Sequence, residues 1–223
     1  MTDHLRTTPK STPIPSYDPA PSGDFAAQAL TGAGVTGVLI GRLAVWSWLT
    51  RGDTHRFTKD VDIAVAQAEL PAVRAWLRAH DIQGLELPIG GVAVRLADPG
   101  GTEDQAKTIR VDFIDRTNPE YGDFGDVVTA AVADARQRNQ SVRIGKSELL
   151  VVSPTYLVLL KLIAGRGKDD DDIEDLLRQA EVDVGFLRKT MAAHPKLAAF
   201  RSRFEDKLMR MGHADARRDY DLS

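Results

Sequence analysis

The segment TKDVDI at 58–63 places two acidic side chains, Asp60 and Asp62, at the start of an apolar run. Successive strand residues face opposite sides, so both carboxylates share one face while Val61 and Ile63 share the other. Two carboxylates ~7 Å apart along a strand repel by ~2 kcal/mol at an effective dielectric near 20. The pair is tolerated if solvent covers it, if one acid is protonated, or if a divalent cation lies between them. An exposed strand end and a metal site are therefore both open alternatives.

A third acid, Asp112, lies between apolar residues inside TIRVDFID at 108–115. Asp115, three residues later, is expected on the opposite face, at the end of the strand. Three carboxylates from two strands match the ligands of a Mg²⁺ site, in which hard oxygen ligands and nucleotide phosphates share one coordination shell. Two such ions would activate an attacking hydroxyl and neutralise a leaving pyrophosphate. The alternative is a core acid paired with a buried arginine such as Arg110.

The stretch VLIGRLAVWSWLTRGDTHRFTKDVDIAV at 38–65 carries an R-x-T-x-D-x-D element, formed by Arg56, Thr58, Asp60 and Asp62. With Asp112 on a later strand, this order resembles the nucleotidyltransferase superfamily, specifically the minimal bacterial branch that includes the AbiEii-type toxins. The resemblance implies an α/β (α+β) nucleotidyltransferase fold, with a mixed sheet flanked by helices and a C-terminal helical bundle.

A later segment, KLIAGRGKDDDDIEDL, matches the lysine, arginine and acidic positions of the same family with Lys161, Arg166, Lys168, Asp169 and Asp172. The resemblance implies that Lys161 reaches the phosphates and that the other four residues support the site. Each feature also has a structural alternative. A lysine in an apolar helix often extends its ammonium to the surface, and acids at a helix start are favoured by capping and by the helix dipole.

Gly41 and Arg42 follow the first predicted strand, where the family has two small residues. Backbone N–H groups there approach the triphosphate closely, which favours glycine. Arg42 replaces the usual glycine or serine. It either supplies a guanidinium to phosphate oxygens or marks a chain that has lost catalysis.

The resemblance implies a Mg²⁺-dependent transferase that moves a nucleoside monophosphate from an NTP to an acceptor hydroxyl. Asp60, Asp62 and Asp112 would be the catalytic ligands of two metal ions, and Gly41, Arg42, Arg56, Thr58 and Lys161 would form the nucleotide site. The acceptor would be a tRNA 3′ end, a protein or a small molecule, and an antitoxin protein would be the partner. A catalytically silent binding module is the alternative, whereas the short spacing from first strand to D-x-D argues against a glycosyltransferase.

The periodicity predicts strands at 38–40, 61–66, 92–98 and 108–115 and a hairpin around Gly145. Helical periods dominate after Pro154. We therefore expect a flexible tail at 1–23, rich in proline, serine and threonine, an α/β core at 24–152 and a helical region at 153–223.

Composition limits the remaining classes of function. The 223 residues include no cysteine, which excludes disulfides and thiolate metal sites, and the net charge of −3 provides no general attraction for nucleic acid. No apolar run reaches the ~20 residues of a membrane span, and no signal-peptide core is recognisable at the amino terminus. A cytoplasmic location is expected.

Overall fold

A computed structural model describes residues 18–49, 60–97 and 108–212. Arg56 and Thr58 of the predicted nucleotide site lie outside these residues. The helices and strands are α1 (Ala20–Ala33), β1 (Val38–Ile40), α2 (Gly41–Trp48), β2 (Val61–Ala64), α3 (Leu70–Ala79), β3 (Gly84–Glu86), β4 (Gly91–Ala97), β5 (Thr108–Ile114), α4 (Gly125–Arg138), β6 (Ser141–Ile144), β7 (Ser147–Leu150), α5 (Pro154–Ala164), α6 (Gly167–Gln179), α7 (Val184–Ala193) and α8 (Arg201–Arg210).

A five-stranded mixed sheet in the order β1-β2-β5-β4-β3 forms the centre of the molecule. β2 and β5 are parallel, and the other neighbouring strands are antiparallel. β6 and β7 form the hairpin predicted around Gly145. The prediction of a mixed sheet flanked by helices is confirmed.

The two faces of the sheet differ as the alternation in β2 and β5 predicts. Val61, Ile63, Val111 and Phe113 are fully buried, and α1 packs on that side of the sheet and also against α3. On the opposite side α2 packs against β1 and β2 and against α5, and α5 faces the sheet across a cleft. The alternate residues of β2 and β5 therefore face the space between the sheet and α5.

The boundary expected for the amino-terminal tail is wrong by several residues, because α1 begins at Ala20. Pro21 occupies the first turn, where its missing N–H costs nothing. Ser22 is buried, and its hydroxyl accepts a 3.0 Å hydrogen bond from the backbone N–H of Arg110. A Cβ on Gly23 would lie 2.7 Å from Cβ of Ile144. These residues belong to the packed core, and their small size permits close helix packing.

The C-terminal part is helical as predicted, with α5 to α8 lying between Pro154 and Arg210. Within the described residues, no helix is long and apolar enough to cross a membrane.

The Ser22 hydrogen bond gives a test of the α1 contact. We expect Ser22→Ala to lower the free energy of unfolding by about 1–2 kcal/mol, since the Arg110 N–H would lose its buried acceptor. Ser47→Ala is the matched control, because the Ser47 hydroxyl donates to the carbonyl of Ala44 within the same helix. Urea denaturation of both variants measures the difference, and equal stabilities would contradict this role for Ser22.

Candidate active site

The parallel pairing of β2 and β5 places Asp62 directly beside Asp112. Paired residues of parallel strands point to the same face, and both carboxylates line a cleft between the sheet and α5. Asp60 comes immediately before β2, two residues from Asp62, and its charge acts on the Asp62 carboxyl. The structure therefore brings the three predicted acids near one another, and Asp62 and Asp112 line the cleft.

The electrostatics of this acidic cluster act most strongly on Asp62. Burial, followed by the charges of Asp112 and Asp60, raises the pKa of Asp62 from 3.8 to about 7. Lys161 and Arg166 oppose the shift but do not cancel it. The cluster therefore favours a proton or another cation at Asp62 near neutral pH.

Gly41 lies against this acid at the junction of β1 and α2. Its φ of +70° lies in the left-handed region, and a Cβ there would come within 2.9 Å of Cγ of Asp62. Any larger side chain would be strained and would collide with the carboxylate. The glycine thus allows the first turn of α2 to approach Asp62 directly.

Arg95 on β4 was missed by sequence reasoning. Its Nη1 lies 2.7 Å from Oδ1 of Asp112, so the expected alternative of an Asp112–Arg110 pair is replaced by an Asp112–Arg95 pair. Burial lowers the pKa of Arg95, but the hydrogen bond and charge of Asp112, with smaller contributions from Asp60 and Asp62, raise it overall. The available signal was an arginine inside the otherwise apolar strand VAVRLA.

Lys161 enters the cleft from α5 and does not extend to the surface. It is 4% exposed, and its Nζ lies 3.0 Å from Oδ1 of Asp169 and 2.7 Å from Oδ2 of Asp172. Burial lowers the pKa of Lys161, with partial opposition from Asp169. The surface-extending alternative for this lysine is therefore wrong, and its ammonium is fixed at the cleft wall by two carboxylates.

Arg42 forms an ion pair with the buried carboxylate of Asp172. The same acid binds Lys161, so the contact links α2 to both α5 and α6. This geometry explains why an arginine can follow Gly41: its guanidinium lies against the acidic start of α6.

Asp169 caps the start of α6 by accepting from the backbone N–H of Arg166, which agrees with the capping alternative for the acids of this segment. Oδ2 of Asp169 accepts from the Arg166 backbone N–H at 3.1 Å and from its Nε at 2.9 Å. Arg166 also lines the cleft, whereas Lys168 is exposed and does not line it. Asp169 and Asp172 do not line the cleft; they form ion pairs with Lys161, Arg166 and Arg42.

The cleft has a volume of about 230 Å³. Sequence reasoning identified its polar members on β2, β5 and α5 but not Arg116 or the apolar lining. The lining consists of Ile40, Gly41, Asp62, Ile89, Asp112, Ile114, Arg116, Val128, Leu157, Leu160, Lys161, Ala164 and Arg166.

The acidic cluster supplies oxygen donors that suit a divalent cation, but these donors are not arranged as a complete coordination shell. Among the described residues, no three histidine, aspartate or glutamate side chains form a group that could hold a metal ion. Arg95 already contacts Oδ1 of Asp112. The carboxylate oxygens of Asp60, Asp62 and Asp112 are nevertheless the hard donors that Mg²⁺ prefers, and their repulsion at Asp62 is what a cation would relieve.

The raised pKa of Asp62 predicts a pH-dependent cost to stability. In the unfolded chain Asp62 loses its proton near pH 3.8, whereas the folded protein retains it until about pH 7. The wild type therefore loses stability between these values as pH rises. We expect Asp62→Asn to remove this loss, making the variant more stable above pH 7 by at most about 4 kcal/mol.

Urea denaturation in EDTA from pH 4 to 8 tests this expectation. Asp134→Asn is the matched control, since Asp134 pairs with Arg138 on α4, away from the cleft. A constant difference between Asp62→Asn and wild type across the range would contradict it.

The glycine at the start of α2 gives a second test. Gly41→Ala combines left-handed strain with a collision, whereas Gly34→Ala, at φ +66° with open space around it, has strain alone. We expect Gly34→Ala to cost about 1 kcal/mol and Gly41→Ala to cost more, by roughly another 1–3 kcal/mol. Chemical denaturation of the two variants measures the steric cost of the contact with Asp62. Equal losses of stability would show that Asp62 accommodates the added methyl group.

Comparisons with known proteins identify the fold. No family model matches the sequence, and no curated protein matches it. An antigenic nucleotidyltransferase-like protein from Paracoccidioides brasiliensis superposes with a TM-score of 0.58 at 17% identity, over 91% of this chain and 94% of that one.

Two further solved structures are more distant. The antibiotic-resistance factor ANT(2'')-Ia has a TM-score of 0.40 at 11% identity, over 84% of this chain and 91% of that one. JHP933 from Helicobacter pylori has a TM-score of 0.35 at 16% identity, over 87% of this chain and 78% of that one. The likeness to the Paracoccidioides brasiliensis protein carries the conclusion: this chain has a nucleotidyltransferase-like fold.

Proposed function

We propose that this protein is a Mg²⁺-dependent nucleotidyltransferase that moves a nucleoside monophosphate from an NTP to an acceptor hydroxyl and releases pyrophosphate. The observation that carries the proposal is the in-register pair Asp62 and Asp112 on neighbouring parallel strands, facing a cleft. Gly41 borders the same acids, as a phosphate-approaching turn requires.

The ligands of the proposed metal are Asp60, Asp62 and Asp112. When bound, Mg²⁺ would neutralise phosphate charge and lower the pKa of the acceptor hydroxyl. Arg95 contacts Oδ1 of Asp112, so a metal ion bound at that oxygen would compete with this guanidinium. The Arg95 side chain has 36% of its surface open to solvent, which would let it move aside.

Each polar residue of the cleft has a separate role in the proposed transfer. The acceptor oxygen forms a bond to the α-phosphorus while the bond from that phosphorus to the bridging oxygen breaks, and Asp112 takes the hydroxyl proton. Gly41 provides close backbone approach for the triphosphate, and Lys161 provides a fixed positive charge at the wall. Arg166 adds a second cation there. Positioning and charge neutralisation are the main contributions expected of such a site.

Arg42 has a different role from the phosphate contact expected of it. The Arg42 guanidinium forms an ion pair with Asp172, which joins α2 to α6. We propose that Arg42 acts by fixing the turn at Gly41, and that Arg56 and Thr58, which precede Asp60 in the sequence, complete the nucleotide site.

The acceptor and partners follow from the sequence resemblance alone. A tRNA 3′ end, a protein and a small molecule are the acceptors it implies, and a cognate antitoxin is the partner it implies if the chain is a toxin. The location proposed for this activity is the cytoplasm.

A catalytically silent binding module is the second candidate. The Arg95–Asp112 ion pair favours it, because it neutralises one acid without any metal. Calorimetry with an NTP in the presence and absence of Mg²⁺ separates the candidates. Metal-dependent binding favours the enzyme, and its absence favours the module.

Transfer of label from an α-labelled NTP tests catalysis directly. We expect the wild type to label a cellular acceptor pool of RNA, protein or small molecules, and both Asp62→Asn and Asp112→Asn to reduce the rate by at least about 100-fold. Asp134→Asn, an acid outside the cleft, should retain the wild-type rate. If the wild type transferred no label to any pool, or if Asp62→Asn remained active, the proposal would fail.

A further inference from the structure

The cleft is lined by two acids, by several cations and by apolar side chains. Asp62 and Asp112 lie on β2 and β5, whereas Arg116 follows the end of β5 and donates to the carbonyl of Ile163 near the end of α5. The apolar lining includes Ile89, Ile114, Val128, Leu157 and Leu160. A nucleotide triphosphate would use the acids, Gly41 and Lys161, which leaves Arg116 without an assigned ligand.

Arg116 differs from the other cations of the cleft. Lys161 is held by Asp169 and Asp172, and Arg166 is held by Asp169. For Arg116, no described carboxylate lies within ion-pair distance. Its Nη2 donates to the carbonyl of Ile163 at 3.0 Å, and its guanidinium lies 5.9 Å from the centre of the Phe124 ring. Most of its five donors are therefore available to a ligand.

The position of Arg116 is costly, which argues against an incidental surface arginine. The side chain is half-buried, and its φ of +57° lies in the region that disfavours residues other than glycine. Burial and the charge of Arg166 lower the pKa of Arg116, and the charge of Asp169 opposes them in part. A guanidinium remains charged under these conditions and gains from a bound anion.

The chain leads from Asp112 on β5 to this cation. Asp112, Ile114 and Arg116 all line the cleft, and Arg116 lies just beyond the end of β5, so four residues of chain separate the Cα atoms of the two charged residues by at most ~14 Å. Asp112 is the acid to which we assign the acceptor proton. An acceptor whose hydroxyl lies at Asp112 would therefore extend along Ile114 towards Arg116.

We propose that the acceptor is a small amphiphilic anion: a hydroxyl at Asp112, an apolar body over Ile114 and Leu160, and a carboxylate or phosphate bound by Arg116. The inference rests on the proposed function for the identity of the hydroxyl end. The volume of about 230 Å³ is below the roughly 300–1,000 Å³ of pockets for drug-sized ligands, which limits the bound part of the acceptor to a small group. A polycationic acceptor is disfavoured, because Arg116 and Arg166 would repel it.

Calorimetry with three chain-matched probes tests the subsite: 8-hydroxyoctanoate, the neutral 1,8-octanediol and the cationic 8-amino-1-octanol. We expect the wild type to bind the carboxylate about tenfold or more tightly than the diol, and the amine more weakly than either. Arg116→Gln should reduce the preference for the carboxylate to within about twofold, and Arg116→Lys should keep part of it. Circular dichroism checks that each variant is folded.

Arg74→Gln is the matched control, because Arg74 pairs with Glu86 on the surface and does not line the cleft. This variant should bind all three probes as the wild type does. The comparison of probes on wild-type protein remains decisive even if Arg116→Gln does not fold.

Several results would overturn the proposal. These are equal binding of carboxylate and diol by the wild type, no binding of any probe, or an unchanged preference in folded Arg116→Gln. A loss of Mg²⁺–NTP affinity in Arg116→Gln with no loss of carboxylate affinity would also overturn it, by assigning the cation to the nucleotide.

The two proposals fail separately. Arg116-dependent selection of the carboxylate supports the anion subsite even if α-labelled NTP transfers no label to any acceptor, a result that would overturn the transferase activity instead. Conversely, label transfer together with equal binding of diol and carboxylate would leave the transferase standing and remove the subsite.

Discussion

The parallel pairing of β2 with β5 is the constraint on which the site depends. In this register Val61 and Val111 are buried beneath one layer while Asp62 and Asp112 face the cleft on the other. A shift of one residue in either strand would exchange the faces, burying a carboxylate and exposing an apolar side chain. The hydrophobic core thus enforces the close approach of two like charges, although that approach is itself unfavourable.

The surrounding charges are arranged in response to this repulsion. Arg95 from β4 contacts Asp112, while Lys161 from α5 and Arg166 before α6 reduce the pKa shift of Asp62. The C-terminal helices therefore contribute to the cleft electrostatically as well as by packing. Removing one cation would leave its buried partner uncompensated, which is more costly than the pair itself is stabilising.

Much of the site was predictable because strand alternation is a local property. The shared face of Asp60 and Asp62 follows from their spacing, and the acid of TIRVDFID follows from its apolar neighbours. The capping role of Asp169 was also foreseen as an alternative from its position at a helix start. The tail boundary was misplaced because Pro21, Ser22 and Gly23 have little intrinsic preference for a helix, and their packing against Arg110 and Ile144 is long-range.

The sequence by itself determined the type of sheet face, the acids on it and the change from an α/β core to helices, since these depend on residue type and local period. Only the tertiary structure decided the partners of the charges. Arg95 with Asp112, Arg42 with Asp172 and Lys161 with Asp169 join different elements, as does the contact of Arg116 with the carbonyl of Ile163. Strand order and helix packing set these distances, and no local pattern encodes them.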